Sequence, residues 1–464
     1  MIEEKKIYED LKSIFLAGLQ KVDPYIMVKD HLRLEDETLI VEAEHGRLVF
    51  DLREYDKVFV IGAGKATAKM AAALEEVLKE RISEGIISVK YGHTEPLERI
   101  KIVEAGHPVP DMKSVEAADL VEKLGRKADS HTIVINLISG GGSALLVKPL
   151  TYETAHGPVS LTLEEIRLTT EALLSCGAPI EAINCIRKHL SGIKGGRLAQ
   201  IIHPATGINL ILSDVVGDRL DTIASGLTTG DETTYLEALD ILKRYEIAKT
   251  IPDLVLQSIT MGANGELPET PKKGDPVFER THNILIGTNY LALMGACYQA
   301  QRLGYTVLLL SSQITGEARE TAKVLLGIGK DILKHGIPVK RPACIVSGGE
   351  TTVTLRGNGK GGRNTELALS FLQGLESDRE GTDGIYLLSA ATDGNDGPTD
   401  AAGAYASSGL LEKLDGLRAE GRSMSIDGYL RNNDSYSFFD AGGALFKTGP
   451  TNTNVCDIQI LIVP

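Results

Sequence analysis

Short apolar runs alternate with longer amphipathic stretches along the whole chain. Runs too short for helices, each followed by a 3.6-period stretch, predict parallel strands covered by helices on both faces. The expected strands are Val58–Ile61, Ile86–Val89, Ile100–Val103, Ile133–Ile138 and Ile208–Leu212, and the expected helices Lys65–Lys79, Leu163–Leu174 and Ile180–Leu190. The stretch from Met261 to Pro276 (MGANGELPETPKKGDP) breaks this rhythm with Gly, Pro and charge, and reads as a linker. Alternation then restarts with strands at Asn283–Ile286, Thr306–Leu310 and Ala343–Val346, helices at Asn289–Leu303 and Glu317–Lys334, and a last strand in CDIQILIVP. Two α/β domains are therefore expected, 1–265 and 277–464. The pairing of VFVIGAGK with NILIGTNY, and of LISGGGS with CIVSGGE, repeats the same strand-then-glycine-turn grammar in each half.

Charge narrows the function. The formal net charge is -14 and no long basic run is present, so a nucleic-acid partner is not expected. An acidic protein that handles anions must gather its cations locally, which directs attention to Lys and Arg beside glycine loops. Cys176, Cys185, Cys297, Cys344 and Cys456 form no CxxC pair and read as buried free thiols of a reducing compartment. The first residues, MIEEKKIYEDLKSIFLAGL, make a charged amphipathic helix rather than a signal peptide, and no apolar run reaches membrane-spanning length. A cytoplasmic location without membrane attachment is expected.

Five stretches carry candidate chemistry. In Gly62-Ala63-Gly64-Lys65, between a strand and a helix, glycines permit a tight turn and Lys65 places a cation where a phosphate or carboxylate could sit. The spacing is neither a Walker A loop nor an intact dinucleotide fingerprint, because Thr67 occupies the third glycine position. Ser139-Gly140-Gly141-Gly142-Ser143 follows a buried strand and offers a nest of backbone donors for phosphoryl oxygens. Asn184, Lys188 and Ser191 share a helix face, with Arg187, Lys194 and Arg197 nearby, a cationic cluster suited to an anion. Asp214 ends a strand, where an aspartate holds Mg²⁺ or accepts a hydroxyl proton, although aspartates also begin turns. The last block comprises Ser347-Gly348-Gly349-Glu350, Gly359-Lys360-Gly361-Gly362-Arg363-Asn364-Thr365-Glu366, Asp393-Gly394-Asn395-Asp396 and Thr448-Gly449-Pro450-Thr451-Asn452. Arg363 opens a helix beside glycines, where its fork suits phosphate oxygens.

These blocks resemble a known family. GGRNTELAL, ATDGNDGPTDAAGA, NNDSYSFF and TGPTNTNVCDI resemble the MOFRL domain of glycerate kinases, and VIGAGKATAKM, GHPVPD, LISGGGSALL and NCIRKHLSGIKGGRLA resemble the larger domain of that family. The resemblance implies a Rossmann-like N-terminal domain with a mostly parallel sheet, a smaller C-terminal MOFRL-type domain, and an active site in a cleft between them. It implies transfer of the ATP γ-phosphoryl group to D-glycerate at the 2-hydroxyl, with Mg²⁺ or another divalent cation. Lys65 and Arg363 carry over as catalytic cations. Phosphoryl transfer needs positioning and charge stabilisation. Gly62, Gly64, Ser139–Ser143, Asn184, Lys188, Lys194, Gly361, Asn364, Glu366, Thr451 and Asn452 are the expected binding set. Asp214, Asp393 and Asp396 are the expected metal ligands, with Asp214 also a candidate base. Glycerate and ATP are the expected partners, with a homo-oligomer left open. A nicotinamide-dependent hydroxypyruvate reductase and a non-catalytic nucleotide or sugar-phosphate sensor are the rival readings, disfavoured by the broken fingerprint and by the surplus of cations and aspartates.

Overall fold

The computed structural model describes residues 2–44, 46–154 and 157–464. They form two compact units. The larger comprises Pro24–Ser213 and Asp218–Ile286; the other comprises residues up to Asp23, Asp214–Gly217 and Gly287–Pro464.

The larger unit is built on a six-stranded sheet in the order Thr281–Gly287, Thr206–Leu212, Thr132–Ile138, Lys57–Ala63, Glu84–Lys90, Ile100–Ala105. From Thr206–Leu212 to Ile100–Ala105 every neighbouring pair is parallel. Strand Thr132–Ile138 is buried at all seven positions, as a central parallel strand covered on both faces must be. Val60, Ile135 and Leu137 pack with Met70 and Leu74 of helix Thr67–Leu78. A second apolar cluster joins helices Ile180–His189, Tyr235–Arg244 and Asp253–Ala263 around the fully buried Tyr235. Gly262 is required there, because a Cβ would stand 2.2 Å from the Tyr235 ring. The pattern did not reveal a three-stranded antiparallel sheet, Leu32–Glu35, Thr38–Ala43 and Gly46–Asp51. Its strands are short, and charged residues interrupt them.

The expected linker lies inside this unit. Glu269 accepts from the Tyr235 backbone N–H (2.9 Å), contacts His189 Nε2 (3.2 Å) and pairs with Lys272 (3.1 Å). Burial raises its pKa, but those partners outweigh burial and hold it at about 2. Thr270 donates to Asp231 (3.0 Å). A stretch poor in apolar residues is thus fixed by polar bonds, and the division falls after Ile286. Strand Thr281–Gly287, expected to open the second domain, is the edge of the first sheet.

The second unit departs from the parallel pattern that the alternation along the chain suggested. Its sheet runs Thr306–Ile314, Ala343–Gly349, Asp457–Val463, Tyr386–Ala391, Gly403–Ser407, Leu445–Phe446, and only the first pair is parallel. The last strand of the chain occupies the middle and is buried throughout. The helix Ile2–Lys21 belongs to this unit. It lies against helix Asn289–Arg302, where a Cβ on Gly295 would meet the Ala17 carbonyl at 2.8 Å and Lys21 Cβ at 2.6 Å. Tyr305 donates to Asp10 (2.7 Å) along the same seam. Four of the five cysteines are buried as expected and all are free, but Cys176 is exposed. Gly295→Val should therefore separate the two helices and cost about 1–3 kcal/mol, the usual range for overpacking. Chemical denaturation of the variant against the parent measures it.

Candidate functional site

In the larger unit two glycine loops interlock at the carboxyl ends of adjacent strands, Ala63 standing in register with Ile138. Ser139 N donates to the Ala63 carbonyl (3.1 Å), and Lys65 N donates to the Gly140 carbonyl (2.9 Å). The Ser139 hydroxyl accepts from Ala66 N (3.1 Å) and bonds Thr67 Oγ1 (3.1 Å). Ser139 is buried, so its hydroxyl braces the loops and is not the open phosphate donor expected. Gly64 has φ +149°, and a Cβ there would overlap Ser139 Oγ at 2.0 Å. Gly62 is equally confined, 2.4 Å from the Leu137 carbonyl. The helix begins at Thr67, so half-buried Lys65 lies in the loop itself. Gly141 has φ +88°, and an added Cβ would meet the His107 ring at 2.8 Å and Lys65 Cγ at 3.5 Å. A glycine here lets His107 and Lys65 close over the loop.

Gly141 and Ser143 open onto a cavity of ≈ 410 Å³ that also reaches Arg187, Ser191 and Lys194. Lys194 is 4% exposed and donates to the Leu146 carbonyl (3.1 Å). Burial, with the nearby charge of Arg187, pushes its pKa down to about 7. Lys188 is different. It is sealed away from this cavity by pairing with Asp231 (3.2 Å) and Asp221 (3.5 Å). Asn184 is buried and accepts from Ser225 (3.4 Å), which in turn bonds Ser143 (2.9 Å). Of the two lysines held open for the anion, the cavity receives Lys194. Sequence reasoning placed Arg187 in the cluster without giving it a role; its signal was the absence of any acidic residue within one helical turn on either side, the nearest being Glu181, six residues back.

In the second unit Arg363 opens helix Arg363–Ser377. Its fork does not stand free for phosphate. Nε and Nη2 bind Asp457 at 2.5 and 2.9 Å, and Nη1 reaches Glu350 at 3.1 Å. Asp457 is in register with Gly349 and Ala391, which places it where the Glu350 and Asp393 loops leave the sheet. Burial raises the Glu350 pKa, Arg363 opposes that, and Asp457, Asp214 and Asp393 add to the rise. Asp214 joins the group through its carbonyl, which accepts from Cys456 Sγ (3.2 Å). Cys456 itself has φ +65°, a left-handed conformation costly for a side-chain-bearing residue.

Several expected ligands are structural. Asp396 is 1% exposed and accepts from Asn364 N (2.9 Å), Thr365 N (2.8 Å) and Thr365 Oγ1 (2.7 Å), capping the helix. Burial still raises its pKa to about 6. A carboxylate so enclosed is a helix cap and not a metal ligand. Asn364 is buried and accepts from Ser389 (2.7 Å). Glu366 is buried between Arg319 (2.6 Å) and Asn433 (3.0 Å). Gly361 makes room for Ser435, whose Oγ would stand 2.3 Å from a Cβ. Thr451 donates to the Thr392 carbonyl (2.6 Å), and half-buried Asn452 has φ +57°. Among the described residues no three His, Cys, Asp or Glu side chains converge as a ready metal cage. No described helix is long and apolar enough to cross a membrane.

One unit with a largely parallel sheet, interlocked glycine loops and a cation-lined cavity, and a second with a mixed sheet and an arginine–carboxylate cluster, define an α/β enzyme for anionic substrates. Residues 10–260 match the family described as "Domain of unknown function (DUF4147)", and residues 343–457 match the "MOFRL family". The chain is 40% identical to a glycerate 2-kinase of Pyrococcus horikoshii over 96% of its own length and 95% of the relative. It is 39% identical to an Agrobacterium vitis protein provisionally named a hydroxypyruvate reductase, over 98% and 94%. A crystal structure of glycerate kinase from Thermotoga maritima superposes with a TM-score of 0.82 at 37% identity, covering 99% of this chain and 100% of that one. The chain belongs to the DUF4147/MOFRL family of glycerate kinases.

The depressed Lys194 has a signed consequence. Between pH about 7 and the ordinary lysine value of 10.5 the unfolded chain holds a proton there that the folded chain lacks, so this group's penalty is full below pH 7 and lifts as pH rises through that window. Lys194→Met should raise the melting temperature most below pH 7, with the gain shrinking toward pH 10. A gain independent of pH would show that the lysine is not the group responsible.

Proposed function

We propose that this chain transfers the γ-phosphoryl group of ATP to D-glycerate at the 2-hydroxyl, giving 2-phosphoglycerate and ADP. The observation that carries this reading is 40% identity to a glycerate 2-kinase along 96% of the chain. The loops fixed by Ser139 support it, because phosphoryl transfer is catalysed by positioning and charge rather than by covalent chemistry.

In this reading Lys65, held over Gly141, stabilises charge on the moving phosphoryl group. Arg363 grips Asp457 with two bonds and reaches Glu350 with a third, so its contribution runs through those carboxylates. The charges of Asp214 and Asp393 act on Glu350 beside Arg363, and carboxylates from these three residues would hold a divalent cation. Mg²⁺ commonly takes one or two carboxylates and completes its shell with phosphate oxygens and water, so a preformed cage is not required. When bound, it would neutralise phosphate charge. Asp214 or Asp393 would accept the hydroxyl proton.

Incubation with D-glycerate and Mg·ATP should release ADP, whereas hydroxypyruvate with NADH should leave NADH unchanged. Coupling to enolase without phosphoglycerate mutase should give phosphoenolpyruvate at once; a signal that waits for mutase would mean phosphorylation at the 3-hydroxyl. Lys65→Ala should preserve the melting temperature and lower kcat by roughly 10²–10³, the usual cost of deleting one charge-stabilising group. Activity within a few-fold of the parent would remove Lys65 from the mechanism.

A further inference from the structure

Two cations at the cavity of the larger unit have no carboxylate to balance them. Arg187 pairs with no described residue, and burial is the one influence on its pKa, which it lowers. Lys194 has a backbone carbonyl for its partner and Arg187 for its charged neighbour. The remaining charges around this space are matched: Lys148 with Asp119 and Glu122 at 2.6 and 2.7 Å, Arg167 with Glu164 and Glu171 at 3.1 and 3.8 Å. In a chain with 63 acidic and 49 basic residues, two adjacent unmatched cations facing a cavity mark an anion site.

The rest of the lining is apolar. Helix Leu163–Ser175 presents Ile166, Thr170 and Leu174 to the cavity one turn apart, and Pro108–Pro110 supplies a second apolar wall. Leu174 is 60% and Val109 56% exposed, so apolar surface remains uncovered here. Glycerate is a three-carbon hydroxy acid with no apolar face to set against these walls. A nucleoside phosphate has both an aromatic base and an anionic tail.

We propose that this cavity is the nucleotide subsite, with the adenosine moiety against Ile166, Thr170, Leu174 and Pro108–Pro110 and the phosphates on Arg187, Lys194 and the Gly141 loop. The assignment rests on the kinase reading and divides the site: ATP enters here, and glycerate is bound elsewhere.

The test is ADP and adenosine binding by calorimetry, without glycerate, alongside steady-state kinetics. Thr170→Trp fills the space from a half-exposed helix position and should weaken both ligands by about tenfold or more, as loss of a packed pocket does. It should raise the KM for ATP and leave that for D-glycerate within about twofold. Thr170→Trp should keep the parent's melting temperature, separating occlusion from misfolding. Arg187→Gln should weaken ADP but spare adenosine. Unchanged ADP affinity in Thr170→Trp, or a rise confined to the glycerate KM, overturns the subsite while leaving the kinase standing. ADP binding that Thr170→Trp abolishes, in a protein that never phosphorylates glycerate, keeps the subsite and removes the kinase reading. A parent protein that binds no ADP removes the subsite outright.

Discussion

The arrangement of the larger unit depends on one hydroxyl. Ser139 leaves the central strand and bonds both Ala66 N and Thr67 Oγ1, while its own N–H holds the Ala63 carbonyl. Two loops that would otherwise be flexible glycine turns become a single rigid edge. The cost is steric: Gly64 has no room for a Cβ, and its φ of +149° excludes other residues. The return is position. Lys65 is carried by a braced loop, and preorganised charge is what phosphoryl transfer requires. The serine most attractive as a phosphate donor is thus the one that holds the donors in place.

The second unit shows the same division of labour among its carboxylates. Asp396 is consumed by a helix N-terminus, where its oxygens meet the N–H groups of Asn364 and Thr365. Asp457 is consumed by the Arg363 fork. Glu350 lies at that pair, where burial raises its pKa and the charges of Asp457, Asp214 and Asp393 add to the rise. A motif dense in Asp, Asn and Gly therefore splits into residues that build the loop and residues the loop presents. Burial separates them, and burial is not written in the motif.

What the chain's pattern disclosed follows the same line. The strands Lys57–Ala63, Thr132–Ile138 and Thr206–Leu212 were legible because central parallel strands are continuous apolar runs. The position of Asp457–Val463 in the middle of its sheet was not legible. Its register with both Ala343–Gly349 and Tyr386–Ala391 is a long-range choice that local periodicity does not encode. The stretch around Glu269 misled for a related reason: few apolar residues suggested a linker, yet ionic and hydrogen bonds bind it to His189, Tyr235 and Asp231. Arg363 was visible as a cation beside glycines, but the partner that occupies its fork lies 94 residues away.

Lys188 and Lys194 show how compensation, rather than burial or residue type, separates a scaffold cation from a ligand cation. Six residues apart, they are 2% and 4% exposed. Lys188 has two aspartates within 3.5 Å, so its charge is satisfied by the fold and serves to join helix Ile180–His189 to the Asp221 and Asp231 loops. Lys194 has a carbonyl and a neighbouring arginine, so its charge is left uncompensated by the fold. A buried cation left in that condition gains most from an arriving anion, because the anion meets a group that no carboxylate already balances. The same uncompensated charge that weakens the folded chain below pH 7 is what makes the cavity selective for an anionic ligand.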